Sequence, residues 1–495
     1  MSSDRGDRPN VLWICTDQQR WDTLGCYGNE HVSTETIDSL ADGGALFERA
    51  YCQNPVCTPS RASFLTGRYP RTTRCRMNGQ PFPMAESKRL LPRRLSRDGY
   101  YCGLAGKLHL SPTNPDDNRP PSVAEPARRP HDGYAVFDWS PSPRDDTPAN
   151  RYQAWLRDQG VAYESKPIED GSAVSTSMPV EYHQTPWLCD RTVDFVEQAV
   201  DRAEPWLFSL NIFDPHPAFD PPREYLEPYL DRLEDLPATN YEPGELDDKP
   251  DYQTNQHEGR SGLAYPDERE RRLRTAAYYA MVDLIDDSLE RVLAALERTG
   301  QRENTIVVFQ SDHGELLGDH GMYLKGPFCY EGSVRVPLII DGPGVDSARY
   351  DELVELVDLA PTLATATGLD PLDEVQGRSM WPALTGEGSY LGRDSVYCEQ
   401  YDGYPGAASP DGRPTPEDYV GPDEHVTMLR TDSHKVVVAH HAGTGELYDL
   451  EDDPMETHNR WDDPAYAEVK ADLLARLTDR MVETVDPAPE PVGSW

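Results

Sequence analysis

The sequence is short of several features that would assign it to common classes of protein. It has no run of about 18 apolar residues, so we expect no transmembrane helix. Only 7 of its 47 Lys and Arg residues are lysines and no basic block is present, which argues against nucleic acid as a partner. None of its nine cysteines forms a CxxC pair, so we expect mostly buried thiols rather than a zinc ribbon. The polar start at residues 1–8 precedes only a short apolar run, so we expect no signal peptide and a cytoplasmic protein without a membrane partner.

Acidic residues are in large excess. The chain has 87 Asp and Glu residues against 47 Lys and Arg residues, a net charge of −40 over 495 residues. Such a charge strains a compact chain in dilute buffer, but at about 1 M salt the Debye length falls to about 3 Å and the strain is largely screened. Because the acidity is spread along the whole chain, the composition resembles that of halophile proteins; an ordinary acidic protein is the alternative.

Four short apolar runs each end in polar residues that could carry chemistry. They are residues 11–15 followed by Asp17, 100–105 followed by Lys107 and His109, 206–213 followed by His216, and 305–309 followed by Asp312 and His313. Continuous apolar runs of this length are typical of buried strands. Because ligands bind at the carboxyl ends of parallel strands, these polar residues are expected to share one site.

Helical patterns separate the apolar runs. Residues 269–299 show the clearest apolar face, and residues 188–203 show a weaker one. The alternation predicts an α/β fold with a mostly parallel, doubly wound sheet flanked by helices. Residues 110–185 and 214–268 are rich in Pro, Asp and Gly, and we expect them to be long loop insertions that wall the substrate pocket.

The pattern changes after about residue 385. Short alternating runs appear, and a helical segment follows near residues 465–482. We therefore expect a catalytic domain over residues 1–385 and a smaller C-terminal α+β domain over residues 386–495, with an antiparallel sheet and a terminal helix.

One pentapeptide, residues 57–61, has the form C-x-P-x-R. Pro59 suits the first turn of a helix, and Gly67 suits its end. Cys57 would then lie at a helix N-terminus, where backbone N–H groups favour an anion. The alternative is a buried structural cysteine.

Two longer segments resemble the signatures of the type I sulfatases, a family of the alkaline-phosphatase-like superfamily. Residues 57–68 read CTPSRASFLTGR, and residues 99–109 read GYYCGLAGKLH, with Cys102 where the family pattern has threonine. The resemblance continues through Asp17, residues 312–314 and 325–326, and the segment at 446–450, so it covers essentially the whole chain.

The resemblance implies that Cys57 is oxidised to formylglycine by a formylglycine-generating enzyme. The hydrated aldehyde offers two hydroxyl groups, one to attack sulfur and one to expel sulfate afterwards. A simple serine ester would instead need a second attack by water. The implied reaction converts a sulfate monoester to an alcohol and sulfate.

Two acidic residues at strand ends, each followed by another candidate ligand, predict a metal site. Asp17 precedes Gln18, and Asp312 precedes His313. Carboxylate and amide oxygens suit a hard cation, so one divalent ion is expected, with Ca²⁺ preferred over Mg²⁺. By resemblance, the oxygen at position 57 completes the ligand set. Gln18 and His313 stand where many relatives have Asp and Asn, which leaves Mn²⁺ and Zn²⁺ open.

The remaining candidates are cations and histidines. By resemblance, Arg61, Lys107 and Lys325 hold the sulfate oxygens and the hydroxyls, and His109 and His216 transfer protons. Taken singly, each cation could be a solvated surface charge and each histidine a structural one.

Three readings of function remain in competition. The leading one is hydrolysis of a carbohydrate or small-molecule sulfate ester. The second is hydrolysis of a phosphodiester or phosphonate monoester at the same site, because the two anions are similarly tetrahedral. The third is a silent anion-binding protein in which Cys57 is never modified. Asn78, in a turn after the predicted motif helix, is either a substrate contact or an ordinary turn residue.

Overall fold

The computed structural model describes residues 8–78, 80, 82–110, 132–259, 264–372, 374–388, 392–401, 425–440 and 442–485. The strands are β1 Asn10–Thr16, β2 Ala45–Tyr51, β3 Tyr101–Gly106, β4 Val136–Trp139, β5 Lys166–Pro167, β6 Ser175–Thr176, β7 Trp206–Asn211, β8 Thr305–Ser311, β9 Arg335–Val336, β10 Leu338–Asp341, β11 Ala348–Glu355, β12 Val396–Tyr401, β13 His425–Arg430, β14 His434–Ala439 and β15 Thr444–Asp449. The helices are α1 Glu35–Gly43, α2 Cys57–Thr66, α3 Pro70–Thr73, α4 Leu91–Arg97, α5 Arg151–Asp158, α6 Gln184–Ala199, α7 Arg223–Leu230, α8 Asp251–His257, α9 Glu268–Arg298, α10 Glu331–Val334, α11 Leu359–Ala366, α12 Trp381–Leu384 and α13 Ala467–Glu483.

The large sheet has nine strands in the order β11-β2-β10-β8-β1-β7-β3-β4, with β9 paired to β2. Strands β8, β1, β7, β3 and β4 are mutually parallel, whereas β10 runs antiparallel to both of its neighbours. Every residue of β1, β7 and β8 is buried, which explains their continuous apolar runs. The predicted mostly parallel sheet is therefore confirmed.

The register of this sheet aligns the C-terminal ends of the four predicted strands, β1, β3, β7 and β8. Thr16 pairs with Ser311, Cys15 pairs with Asn211, and Gly106 also pairs with Asn211. The residues that follow β1, β3, β7 and β8 therefore emerge along one edge of the sheet, as expected for a shared site.

Helix α9 covers one face of this sheet with a long apolar side. Its residues Leu273, Ile285 and Leu289 are buried in a core shared with strand residues such as Leu12 and Phe208. Asp267 caps its N-terminus by accepting from the N–H of Glu270. The 31-residue length agrees with the predicted helix over residues 269–299.

A second, antiparallel sheet has the order β12-β13-β14-β15. Helix α13 packs on it through Leu473 and Leu477, which share a small core with Leu429 and Val436. The predicted antiparallel sheet and terminal helix are confirmed, and the domain boundary at residue 385 stays a prediction.

The two predicted insertions are not loops throughout. Described parts of residues 110–185 and 214–268 contain α5, α7 and α8, each only seven or eight residues long. Two turns of helix are too short to give a sustained apolar period, and Pro228 interrupts the pattern of α7. Residues 111–131 of the first insertion lie outside the described residues. In the described part of the chain, no helix combines the length and apolarity needed to cross a bilayer.

Candidate active site

Cys57 is the first residue of α2, and its sulfur is the centre of the site. The side chain is 1% exposed. Its Sγ lies 3.1 Å from His313 Nε2 and 3.5 Å from Asp17 Oδ1. Two ammonium groups also contact the sulfur, with Lys325 Nζ at 3.3 Å and Lys107 Nζ at 3.6 Å. A single buried atom therefore meets carboxylate, imidazole and ammonium groups from four separate segments.

Four of these side chains form a compact set of metal-ligand atoms. Asp17, Cys57, Asp312 and His313 each offer an atom within 4.8 Å of the others, and all four are buried. His313 Nδ1 lies 2.9 Å from the carbonyl oxygen of Gly314, which can only accept a hydrogen bond. Nδ1 must then carry a proton, which leaves Nε2 directed at the cluster, the position that a metal-ligating histidine uses.

Arg61 holds the two carboxylates of this cluster together. Its Nε donates to Asp312 Oδ2 at 2.8 Å, and its Nη2 donates to Asp17 Oδ2 at 3.4 Å. Its Nη1 donates to the backbone oxygen of Lys107 at 2.7 Å. Arg61 therefore organises the cluster, and its predicted contact with sulfate oxygens stays a prediction.

The positive groups control the charges at the site. Burial would raise the pKa of the Cys57 thiol, but Lys107, Lys325 and His313 outweigh it and hold the pKa well below its usual value. Burial and Cys57 likewise oppose ionisation of Asp17, yet Lys107, which ion-pairs with it, together with His216 and Arg61, lowers the pKa of Asp17. The site therefore stabilises anions at position 57.

Two further histidines face the same sulfur. His109 and His216 both interact with Cys57. His216 Nδ1 lies 2.6 Å from the carbonyl oxygen of Pro217, so this nitrogen donates and Nε2 is left for the site. The Nδ1 of His109 is buried without a protein partner. Burial and the neighbouring lysines, Lys107 and Lys325 respectively, lower the pKa of each imidazole against the opposing effect of Cys57.

Gln18 lies at the border of the ligand cluster. Its side-chain oxygen accepts from Lys325 Nζ, and its backbone N–H donates to Asp312 Oδ1 at 3.1 Å. The backbone at Gln18 has a φ of 67°, a conformation that non-glycine residues rarely adopt. Such strain persists where surrounding contacts impose it and is frequent at functional sites.

The structure brings all ten predicted site residues to one place. They are Asp17, Gln18, Cys57, Arg61, Lys107, His109, His216, Asp312, His313 and Lys325. Their chemical roles remain proposals. Asn78 accepts from the backbone N–H of Thr58 at 3.0 Å and so caps α2 near its start. Glu315, which bonds to Gln18, was missed, because an acidic residue in a short loop has no sequence signal of its own.

Arg61→Met is expected to lower the free energy of unfolding of the metal-free protein by about 3–5 kcal/mol, because it leaves two buried carboxylates without their shared cation. Urea denaturation monitored by circular dichroism measures this. Arg223→Met removes an exposed arginine paired to Glu227 and should change stability by only about 0.5 kcal/mol. Equal costs at the two positions would contradict an organising role for Arg61.

Comparisons with known proteins show the family of the chain. Residues 9–369 match the family model described as Sulfatase, and residues 318–483 match that of the N-sulphoglucosamine sulphohydrolase C-terminal region. The arylsulfatase of Clostridium perfringens is 30% identical over 491 residues, covering 96% of this chain and 95% of the relative. An uncharacterised sulfatase of Escherichia coli is 29% identical and covers 97% and 88%. The crystal structure of the phosphonate monoester hydrolase of Agrobacterium radiobacter superposes with a TM-score of 0.79 at 26% identity, covering 97% and 96%.

Proposed function

The chain belongs to the sulfatase family, and from that premise we propose that it hydrolyses a sulfate monoester to an alcohol and sulfate, with Cys57 as the precursor of a formylglycine nucleophile. One observation carries the proposal. The sulfur of Cys57 is contacted by Lys107 and Lys325 and lies within a cluster of metal-ligand atoms. Oxidised and hydrated, residue 57 would supply one hydroxyl to attack sulfur and a second whose deprotonation expels sulfate.

One divalent cation fits the cluster around position 57. Asp17, Asp312 and His313 would hold it, with residue 57 and the oxygen of Gln18 as further ligands. The donor set is mostly oxygen, so Ca²⁺ is preferred, and Mg²⁺ suits the same oxygen ligands. The imidazole nitrogen would also suit Mn²⁺ or Zn²⁺, so these ions are alternatives to be tested. When bound, the ion would neutralise charge and lower the pKa of the hydroxyl beside it.

Lys107 and Lys325 would bind the sulfate group. Both ammonium groups already lie within 3.6 Å of the atom at position 57. Lys107 is 4% exposed and its ion pair with Asp17 keeps it protonated, since Asp17 and Cys57 together raise its pKa against the effect of burial. A buried point charge of this kind favours a tetrahedral anion and the charge that develops on it.

His109 and His216 would move the protons. By resemblance, His109 accepts a proton from the second hydroxyl when sulfate leaves. Lys325 acts electrostatically on His216, and by resemblance His216 in its protonated form would help to protonate the leaving alcohol oxygen, with Lys325 as a second donor. The lowered pKa of His109 suits a base that is neutral at the start of its step.

The alternative within the same chemistry is hydrolysis of phosphodiesters or phosphonate monoesters. It is favoured by the superposition on a phosphonate monoester hydrolase. It is disfavoured by the resemblance of residues 57–68 and 99–109 to the sulfatase signatures.

The test is a substrate panel with modified protein at high salt. We expect 4-nitrophenyl sulfate to be turned over with a kcat/KM at least about tenfold above that of bis(4-nitrophenyl) phosphate and of 4-nitrophenyl phenylphosphonate. The reverse order would assign the site to phosphorus esters. No turnover of any ester by protein that carries the aldehyde would favour the silent anion-binding reading. Sulfated sugars complete the panel, because we propose a carbohydrate or aryl alcohol as the other half of the substrate.

A further inference from the structure

The carboxylate of Glu315 is buried next to the side chain of Gln18, outside the ligand cluster. Glu315 has no exposed surface. Its Oε1 accepts from the backbone N–H groups of Leu317, at 3.0 Å, and Leu324. Its Oε2 accepts from the side-chain nitrogen of Gln18. Three uncharged N–H donors therefore converge on one side chain, which must accept at both of its oxygens.

This arrangement fixes the orientation of the Gln18 amide. A carboxylate can only accept, so Gln18 must turn its NH₂ group towards Glu315. Its carbonyl oxygen then points the opposite way, where it accepts from Lys325 Nζ. The hydroxyl of Tyr278 holds the backbone of the same turn by donating to the oxygen of Gln18 at 2.5 Å and accepting from the N–H of Arg20 at 3.0 Å.

We propose that Glu315 is a positioning residue which acts through Gln18 to hold the ammonium group of Lys325 against residue 57. Lys325 Nζ lies 3.3 Å from the sulfur of Cys57, and its side chain is only partly buried. A free lysine side chain samples many rotamers, and ordering it costs conformational entropy. The oriented oxygen of Gln18 offsets part of that cost before substrate binds. The inference rests on the proposed function, because it assigns Lys325 to the reacting group.

Glu315→Gln should reverse the orientation of the Gln18 amide and so release Lys325. A glutamine there must keep its oxygen towards the N–H groups of Leu317 and Leu324, so its NH₂ group faces Gln18. Gln18 then flips its amide, and its own NH₂ group meets Lys325, donor against donor. We expect kcat for a sulfate ester to fall at least about tenfold. Gln18→Glu alone should be similarly harmful, because it places two buried carboxylates in contact.

The exchange variant Gln18→Glu with Glu315→Gln restores every hydrogen bond at the same net charge. The glutamine at 315 accepts from the two backbone groups and donates to the carboxylate at 18, whose other oxygen accepts from Lys325. We expect its kcat to rise at least about fivefold above that of either single variant. Glu446→Gln is the matched control, since Glu446 is a buried carboxylate bonded to the hydroxyls of Tyr330 and Tyr448. It should leave kcat unchanged.

Two readouts decide the inference. Kinetics of the wild type, the three single variants and the exchange variant give the loss and its rescue. Crystal structures of the same proteins show whether Lys325 Nζ stays against residue 57. Wild-type kcat in Glu315→Gln, or a loss that the exchange variant does not repair despite a native melting temperature, would overturn it. If the wild type fails to hydrolyse sulfate esters, the proposed function is wrong, while the position of Lys325 in the crystals still tests the role of Glu315.

Discussion

Replacing Cys57 with alanine is expected to lower turnover of a sulfate monoester by more than about 10⁴-fold, with the fold retained. The proposed mechanism needs an oxygen nucleophile derived from this side chain, and alanine can supply none. The site would still bind anions, because the ammonium groups of Lys107 and Lys325 remain in place. Loss of kcat with measurable binding of sulfate, followed by calorimetry, is the expected pattern.

The matched control is another buried cysteine outside the site. Cys189 lies in α6, and burial raises the pKa of its thiol to about 12, so it is unreactive. Cys189→Ala should cost some stability and leave kcat unchanged. Cys57→Ala with more than about one hundredth of wild-type turnover would show that another group is the nucleophile.

Cys57→Ser separates the two halves of the proposed reaction. A serine hydroxyl can attack sulfur once, but it has no second hydroxyl to expel sulfate. The variant is therefore expected to accumulate a sulfated side chain at position 57, which intact-protein mass spectrometry detects. Continued multiple turnover by this variant would contradict the role assigned to the second hydroxyl.

Loss of the divalent ion should have the second largest effect. Dialysis against a chelator is expected to lower kcat/KM by at least about 10³-fold, and Ca²⁺ is expected to restore it best. Without the cation, the clustered carboxylates and His313 would have no positive ion to bind. The attacking hydroxyl would also lose the charge that lowers its pKa. Titrations with Mg²⁺, Mn²⁺ and Zn²⁺ compare the alternatives.

Asp312→Asn tests the same site without a chelator. It removes one negative ligand and one partner of Arg61, so we expect weaker Ca²⁺ binding by calorimetry together with a loss of activity. Asp22→Asn is a suitable control, because Asp22 pairs with Arg20 nearby without belonging to the cluster. Full activity after exhaustive chelation would exclude a metal role for these residues.

Much of the fold could be predicted because its central strands are buried on both faces. The runs at residues 11–15 and 305–309 are continuous and apolar, and the structure places them side by side as β1 and β8. Strand β2 was not predicted. It contains Glu48 and Arg49 at half-buried positions, which break the apolar run. This strand leads into the segment before Cys57, so the path to the nucleophile depends on tertiary pairing with β10 and β11.

The site was predictable where a residue follows a strand or stands in a motif. Asp17, Lys107 and Asp312 were found in this way. The partnership of Gln18 with Glu315 could not be found, because the two residues are 297 positions apart and Glu315 stands in no chemical pattern. The ion pairs of Arg61 could not be predicted for the same reason, since only the folded chain shows that the carboxylates following β1 and β8 meet at its guanidinium.

The central claim is that an aldehyde at residue 57 is the working group of a sulfate ester hydrolase. The most direct test prepares the protein with graded fractions of modified Cys57, by varying the supply of the formylglycine-generating enzyme. The aldehyde fraction and the turnover are then measured on each sample. Peptide mass spectrometry gives the aldehyde fraction, and release of 4-nitrophenol from its sulfate ester gives turnover. We predict turnover proportional to the aldehyde fraction, with none at zero modification. Equal turnover in samples that carry only the thiol would contradict the account.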